Sequence, residues 1–245
     1  MSLISRVADY YGFGFDVTAT LVTNGLVLYL DAGVSSSYPG SGTTWTDLSG
    51  SGNNGTLIGG PTYSSSNGGS IVFDGIDDYV STTNSVNNPS PYTIMVWFKT
   101  TTSHAKKIVG FEQNQTGTSF SYDRSLYVGS DNKLYFGQYD GNADTAVSTM
   151  TVNDGVWRCA AGTYGGEGTT VRLYVNGVSD ATTVSNFAEN YTGYWRIGGY
   201  RGNGWTNTSD GYFTGNIGQV LIYSRALTAS EVQQNFDTFK SRFGL

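Results

Sequence analysis

The chain of 245 residues combines a low charged fraction, 13%, with 34 glycines, 18 tyrosines, 12 phenylalanines and 5 tryptophans. This aromatic content excludes a disordered chain, and the abundance of glycine and aromatic residues favours short strands and tight turns over helical bundles. The net charge of -6 and the scattered basic residues argue against nucleic-acid binding, because phosphate contacts need clustered Lys and Arg. No stretch approaches the roughly 20 apolar residues of a membrane span, so we expect no membrane insertion.

Strand-forming runs separated by turn residues follow one another from residue 25 onward. Within residues 170–175 apolar and polar side chains alternate, which is the period of a half-buried strand. The pair Asn176-Gly177 follows directly and is typical of a tight two-residue hairpin turn. We predict strands at residues 26–30, 70–74, 79–81, 92–99, 107–111, 126–128, 133–139, 156–164, 170–175, 194–198 and 216–223.

A single helix, predicted over residues 228–241, closes the chain. The sequence Thr-Ala-Ser-Glu at residues 228–231 fits a capping box, in which two side chains satisfy free amides at the helix start. Val232, Phe236 and Phe239 recur at helical spacing and form one apolar stripe, which we expect to cover the open edge or end of the sheets. Many strands without βαβ alternation predict an all-β fold made of two antiparallel sheets in a sandwich.

An ordered series of sequence blocks resembles a known family. The blocks are GLVLYLD (25–31), WTDLSG (45–50), GNNGTL (52–57), IVFDG (71–75), DDYV (77–80), YTIMVWF (92–98), GVW (155–157), LYVNG (173–177), FTGNI (213–217) and VLIYSRAL (220–227). Their order and spacing, from about residue 23 to 243, are similar to those of laminin-G-like domains of the concanavalin A-like lectin/glucanase superfamily. The resemblance implies a jelly-roll domain over residues 23–245, preceded by an extension at residues 1–22.

The closing segment, residues 231–245, resembles the ends of such domains in tailed-phage structural proteins. This resemblance implies a virion surface or decoration protein, attached in many copies or as a homo-oligomer to other proteins of the phage head or tail. Residues 1–9 lack the apolar core of a secretory signal, so we expect synthesis in the host cytoplasm and localisation to the virion. Residues 1–22 are either an N-terminal strand packed along the sandwich or an arm that docks onto the particle.

The glutamates argue against hydrolysis, which some relatives of this family catalyse with a Glu-x-Asp-x-Glu strand. Such enzymes need two carboxylates about 5–9.5 Å apart across a cleft. The chain has four glutamates, none of them in that motif: Glu112, Glu167, Glu189 and Glu231. We therefore expect a non-enzymatic protein.

Four aspartates, Asp31, Asp74, Asp77 and Asp78, lie in segments that the resemblance brings together, and calcium prefers such oxygen ligands. Calcium-binding relatives often carry acidic residues where this chain has Gly-Gln at residues 218–219. The alternative is that the aspartates organise turns through bonds to the backbone. We predict no required cofactor and name calcium as the candidate ion.

A glycine-rich loop carries the candidate ligand-binding residues Tyr200, Arg201 and Trp205, and Tyr212 follows nearby. Sugars stack their apolar ring faces on aromatic side chains while polar groups bind the hydroxyls. The loop therefore predicts weak binding of glycans, including those of a host surface, made effective by multivalency. Packing of Trp205 under a neighbouring loop is the alternative. A carbohydrate-binding module or soluble lectin outside any virion is the rival function.

Overall fold

The computed structural model describes residues 19–104, 106–139, 141–166 and 168–245. Within these ranges, strands pair antiparallel into two sheets, and the only α-helix follows the last strand. This architecture confirms the predicted all-β sandwich with a C-terminal helix. Most of the predicted N-terminal extension, residues 1–18, lies outside the described residues. No helix in the described ranges is long and apolar enough to cross a membrane.

One sheet has eight strands. They are β1 (Leu26–Asp31), β4 (Thr62–Ser64), β5 (Ser70–Asp74), β8 (Tyr92–Lys99), β13 (Arg158–Tyr164), β14 (Thr169–Val175), β15 (Val178–Ser185) and β17 (Thr214–Tyr223). Their order is β15-β14-β13-β8-β17-β5-β4, and β1 pairs with the second half of β17. Asn176 and Gly177 join β14 to β15 with φ angles of 50° and 81°, which confirms the predicted tight turn.

The other sheet has nine strands. They are β2 (Thr44–Trp45), β3 (Gly55–Ile58), β6 (Tyr79–Thr82), β7 (Val86–Asn87), β9 (Lys106–Glu112), β10 (Tyr122–Val128), β11 (Lys133–Tyr139), β12 (Ala143–Thr151) and β16 (Thr192–Ile197). Their order is β12-β11-β10-β9-β16-β6-β3-β2, and β7 pairs with β16. At one end of the sandwich the edge strands of the two sheets meet, and the backbone N–H of Thr149 donates to Asp180 at 2.8 Å.

The core between the sheets is built from aliphatic and aromatic side chains of both. Trp195 of the nine-stranded sheet lies 5.8 Å from the ring of Tyr92 in the eight-stranded sheet and 5.0 Å from that of Phe111. Gly162 faces the ring of Phe136 so closely that a Cβ atom would overlap it. The Phe136 ring of one sheet therefore requires a glycine at residue 162 of the other sheet, because the interior is closely packed.

The helix, α1 (Ala229–Phe239), begins as predicted with the capping box of Thr228 and Glu231. Its apolar stripe lies against the outer face of the eight-stranded sheet, beside Trp97 and Leu221, and does not cover an edge or end as expected. The reason is that the central strands β8 and β17 present apolar side chains outward as well as inward, so this face also has to be buried. A 3-10 turn, Lys240–Phe243, follows the helix and places Phe243 on the same face.

The last residues of the predicted extension pack against this helix. The N–H of Val22 donates to Oδ1 of Asn235 at 2.9 Å, and its carbonyl accepts from the hydroxyl of Tyr223 at 2.9 Å. The side-chain amide of Gln234 donates to the carbonyl of Thr20 at 2.6 Å. Residues 20–22 therefore run beside α1 as part of the packed domain.

Candidate functional site

The glycine-rich loop, residues 198–213, lies over the outer face of the nine-stranded sheet. The hydroxyl of Tyr127 on β10 donates to the carbonyl of Thr206 at 2.8 Å, and the N–H of Ser130 donates to the carbonyl of Asn207 at 2.7 Å. Gly198 starts the loop with a φ of 72°, a conformation that suits glycine and turns the chain away from β16. The loop is therefore held on the sheet by hydrogen bonds to its backbone.

Trp205 lies in the middle of this loop and is only 5% exposed. Its indole lies edge-on to the ring of Tyr127 at 6.0 Å and 6.3 Å from the ring of Tyr139. Most of the Trp205 side chain is thus packed between the loop and the sheet. This arrangement matches the alternative prediction, that Trp205 packs under a neighbouring loop. One side of the residue nevertheless lines a cavity.

That cavity, here called the Trp205 pocket, has a volume of about 150 Å³. It is lined by Phe120, Tyr122, Tyr139, Glu189, Asn203, Gly204 and Trp205. The Phe120 ring is 88% exposed, although it is large and apolar. Burial raises the pKa of Glu189, and its carboxylate is within 3.5 Å of the hydroxyl of Ser121. The pocket thus combines aromatic surface with a carboxylate.

Arg201 stands beside the pocket without lining it. Its guanidinium forms an ion pair with Asp210 at 2.5 Å and lies 4.7 Å from the centre of the Tyr122 ring. The ammonium of Lys107 lies 5.4 Å from the same ring. Burial raises the pKa of Tyr122, whose hydroxyl donates to the carbonyl of Asn203 at 2.6 Å. Arg201 therefore helps to position a wall of the pocket.

Tyr200 and Tyr212 belong to a different cluster. Their rings lie 5.3 Å apart, and Tyr212 stacks on Tyr79 of β6 at 6.0 Å. Neither residue lines the Trp205 pocket. The structure therefore separates the four predicted ligand-binding residues into Trp205 with Arg201 on one side and the tyrosine stack on the other.

A buried group of charges lies beneath the loop. Glu112 pairs with Lys107 at 3.1 Å and with Arg196 at 2.9 Å, and all three side chains are almost fully buried. Burial lowers the pKa of Lys107, and the negative charge of Glu112 opposes that change. The N–H of Arg201 also approaches Glu112, at 3.4 Å. The group links strands β9 and β16 to the start of the loop.

The predicted metal ligands are only partly brought together. Among the described residues, carboxylate oxygens of Asp74, Asp77 and Asp78 lie within 4.8 Å of one another. Asp78 accepts from the N–H of Asp74 at 3.0 Å, and Asp74 accepts from the N–H of Ile76 at 2.8 Å. Burial and the neighbouring aspartates raise the pKa of Asp78. Two of the three carboxylates thus organise the turn, and calcium binding there stays a prediction.

Asp31 does not join this group, which corrects the expected convergence. Its buried carboxylate pairs with Arg242 at 2.5 Å and accepts from the amide of Gln219 at 2.8 Å. The chain thus supplies Asp31 with a counter-charge from the turn after α1. Gln219 is one of the two residues at which the sequence departs from calcium-binding relatives, and here its amide binds the Asp31 carboxylate.

Sequence reasoning missed Phe120, Glu189 and Asn203 as pocket residues. Phe120 stands alone in the polar run Thr-Gly-Thr-Ser-Phe-Ser, and an isolated aromatic side chain between serines is the one local signal it offers. Glu189 and Asn203 are 14 residues apart in the chain and carry no shared motif. Only the course of the loop over β10 and β11 brings them to one cavity.

The family comparison agrees with this architecture. Residues 73–233, more than half of the chain, match the laminin-G-like family model described as the concanavalin A-like lectin/glucanases superfamily. The chain belongs to this family, as its ordered blocks predicted. None of the curated protein sequences compared with the chain matches it.

Solved structures with the same fold include parts of enzymes and toxins. Domain 4 of AbnA, a GH43 extracellular arabinanase from Geobacillus stearothermophilus in complex with arabinotriose, has 17% identity and a TM-score of 0.55 over 86% of this chain and 97% of that chain. A Trypanosoma rangeli sialidase has 12% identity and a TM-score of 0.61, with 95% of this chain covering 37% of the sialidase. The botulinum neurotoxin type G receptor binding domain has 13% identity and a TM-score of 0.58, over 87% of this chain and 51% of that one. The chain thus spans about a third of the sialidase and half of the toxin structure, and these likenesses show the fold alone.

Proposed function

We propose that this protein binds glycans at the Trp205 pocket and does not cleave them. The observation that carries the proposal is the meeting of Phe120, Tyr139 and Trp205 with the Glu189 carboxylate in one cavity. Aromatic rings contact the apolar C–H faces of a sugar, and a carboxylate accepts hydrogen bonds from its hydroxyl groups. The class of ligand follows from these two kinds of contact.

Phe120 is the side chain that a bound sugar would cover. An isolated exposed apolar residue needs no explanation by itself, but this ring borders a cavity that is also lined by the aromatic side chains of Tyr122, Tyr139 and Trp205. Covering such a ring with a sugar face removes apolar surface from water, and the buried Trp205 and the partly buried Tyr139 form the base of the pocket.

The pocket volume limits the size of the bound unit. At about 150 Å³ it lies below the roughly 300–1,000 Å³ of typical small-molecule sites. We expect it to hold one sugar residue, with the rest of a glycan extending into solvent. Single-site affinity is then weak, and several copies presented together raise the avidity by about 10²–10⁴.

The comparisons support a glycan as the ligand class. The arabinanase domain with the same fold was solved in complex with arabinotriose, an oligosaccharide. The toxin structure is a receptor binding domain. This chain matches 97% of the arabinanase domain and 51% of the toxin domain, and we carry the binding of an oligosaccharide to this chain as part of the proposal.

The absence of catalysis is proposed from the carboxylates of the pocket. Among the described residues that line it, Glu189 is the single one with a carboxylate. Glycoside hydrolysis ordinarily needs a second carboxyl group about 5–9.5 Å away on the other side of the sugar. Incubation with polysaccharides should release no new reducing ends, and release that Glu189→Gln abolishes would overturn the non-enzymatic part of the proposal.

The binding test uses Phe120→Ala, which alters an exposed ring and leaves the fold intact. Glycans selected on an array are titrated calorimetrically against the variant and against Ile76→Ala, a control with a 75% exposed side chain in another turn. Loss of one ring contact of about 0.5–1.5 kcal/mol should weaken binding about 2- to 12-fold. Equal affinity of both variants, or no binding by the parent protein at millimolar glycan, would contradict the proposal.

Attachment to a tailed-phage particle is a narrower proposal. It is supported by the resemblance of residues 231–245 to the ends of phage structural proteins, and a virion would supply the multiple copies that weak glycan binding requires. Mass spectrometry of purified particles should detect this chain. Its absence from the particles would remove the virion role and leave the glycan proposal standing.

A further inference from the structure

A second cavity, here called the intersheet cavity, has a volume of about 430 Å³ and lies between the two sheets. Val27 of β1 and Ile222 of β17 line it from the eight-stranded sheet, and Val86 of β7 and Trp195 of β16 line it from the nine-stranded sheet. Pro89 and Pro91, in the segment after β7, complete its apolar wall. Within the described ranges of the chain, the cavity shares no lining residue with the Trp205 pocket, and its volume lies within the range of small-molecule sites.

None of the described residues that line this cavity carries a formal charge. The other side chains that line it are those of serine, asparagine and one tyrosine, Tyr223. Burial raises the pKa of Tyr223, and its hydroxyl already donates to the carbonyl of Val22. A charged ligand would lose its hydration here without gaining a counter-charge, so the cavity favours an uncharged molecule.

Two asparagines of the cavity have their oxygen bound and their amide NH₂ free. Oδ1 of Asn53 accepts from the N–H of Asn84 at 2.8 Å, and Oδ1 of Asn88 accepts from Nη2 of Arg124 at 2.6 Å. A backbone N–H and a guanidinium can only donate, so these bonds determine which way each amide points. In the part of the chain that the structure describes, neither NH₂ group has a hydrogen-bond partner, although Asn53 is only 6% exposed.

We propose that the intersheet cavity binds a small uncharged molecule that has an apolar body and a hydrogen-bond-accepting oxygen, such as a ketone, ester or ether. The aliphatic, proline and indole surfaces take the apolar body. The free NH₂ groups of Asn53, which is nearly buried, and of Asn88, which is partly buried, donate to the oxygen and thereby gain the hydrogen-bond partner that such groups ordinarily have. The site is additional to glycan binding and does not depend on it.

The test uses 6-propionyl-2-(dimethylamino)naphthalene, a neutral fluorescent ketone, as the probe. Its emission should shift to shorter wavelength and saturate at one probe per chain. An anionic naphthalene sulfonate of similar size should bind at least about tenfold more weakly. Saturable binding of the sulfonate with equal affinity would overturn the inference that the ligand is uncharged, and no saturable binding of the ketone would overturn the proposal itself.

Two kinds of variant locate the probe. Val86→Phe fills the cavity and should abolish saturable binding, whereas the matched control Val184→Phe, at a 61% exposed position on β15, should leave it unchanged. Asn88→Asp keeps an acceptor for Arg124 but replaces the free NH₂ by an oxygen, and should weaken ketone binding about tenfold. The same naphthalene without its ketone should bind Asn88→Asp and the parent protein equally.

Each variant is first checked for native near-ultraviolet circular dichroism, so that loss of folding is not read as loss of binding. Asn53→Asp repeats the amide test at the second donor and keeps the acceptor for the N–H of Asn84. Equal probe affinity of Val86→Phe and Val184→Phe would place the probe elsewhere and overturn the site. Glycan titration of Val86→Phe should match the parent protein, so failure of one binding proposal does not affect the other.

Discussion

The outer faces of the two sheets are covered in different ways. On the eight-stranded sheet, Trp97 lies 5.5 Å from the ring of Phe236 in α1 and 4.3 Å from that of Phe243, both nearly parallel to it. Gly218 on β17 makes this contact possible, because a Cβ there would lie 2.7 Å from the Phe243 ring. On the nine-stranded sheet, a loop is held by hydrogen bonds above the buried charges around Glu112.

The difference explains how the Trp205 pocket forms beneath the loop. Apolar contacts have no direction, so a helix with one apolar stripe can close tightly on a sheet and stabilise it. Ion pairs and hydrogen bonds need particular distances and angles, and a loop that satisfies them leaves gaps. The Trp205 pocket is such a gap, lined by both aromatic and polar side chains.

The largest expected effect is on the polar face. Glu112→Gln leaves Lys107 and Arg196 buried without their shared counter-charge, and should lower the free energy of unfolding by about 3–5 kcal/mol. Chemical denaturation at pH 7 measures this loss. The partly exposed surface pair of Asp237 and Lys240 provides the control, because Asp237→Asn should change stability by less than about 1 kcal/mol. A comparable loss in both variants would refute a special role for the buried charges.

The pH dependence of Glu112→Gln sharpens this prediction. Burial lowers the pKa of Lys107 below its ordinary value of 10.5, and the variant removes the charge that opposes this change. Between the folded and unfolded pKa values of Lys107 the unfolded chain binds more protons, so stability should rise as the pH increases toward 10.5. A variant whose stability relative to the parent protein is flat over this range would show that Lys107 does not carry the effect.

A smaller effect is expected on the apolar face. Phe243→Ala removes the ring that stacks on Trp97 and should cost about 3 kcal/mol of unfolding free energy. Leu245→Ala, two residues later and exposed, should change it by less than about 0.5 kcal/mol. Glycan affinity should stay unchanged in Phe243→Ala, because Phe243 does not line the Trp205 pocket and lies on the outer face of the other sheet. A loss of glycan binding by the folded variant would break the separation between the faces.

The smallest effect concerns the start of α1. Thr228→Ala removes the capping hydroxyl and should cost about 1 kcal/mol, and Thr228→Ser should restore most of it. Hydrogen bonds from Arg225 and Thr228 lower the pKa of Glu231 from 4.5 to about 2. Its contribution is therefore present above pH 4.5 and is lost as the pH falls through 2. Thermal unfolding of Glu231→Gln should lack this acid-dependent step, and an unchanged step would assign it to another carboxylate.

The sequence by itself determined the features that depend on local chemistry. Alternation within residues 170–175, the turn at Asn176-Gly177 and the capping box of Thr228 each involve neighbours in the chain, so pattern and structure agree. The edge strands β12 and β15 were not predicted, because they are rich in Thr, Ser and Asp and only partly buried. An edge strand forms by pairing with its neighbour, and its own residues carry little apolar pattern.

The tertiary structure alone decided where the aromatic and acidic side chains act. Trp205 is a buried lining residue of the Trp205 pocket, Phe120 is an exposed one, and Tyr212 stacks on Tyr79 away from the pocket. All three nevertheless follow similar polar residues in the sequence. Asp31 took Arg242 as its partner across 211 residues of chain. Burial and charge pairing depend on which surfaces meet in space, and residues far apart in the chain supply those surfaces.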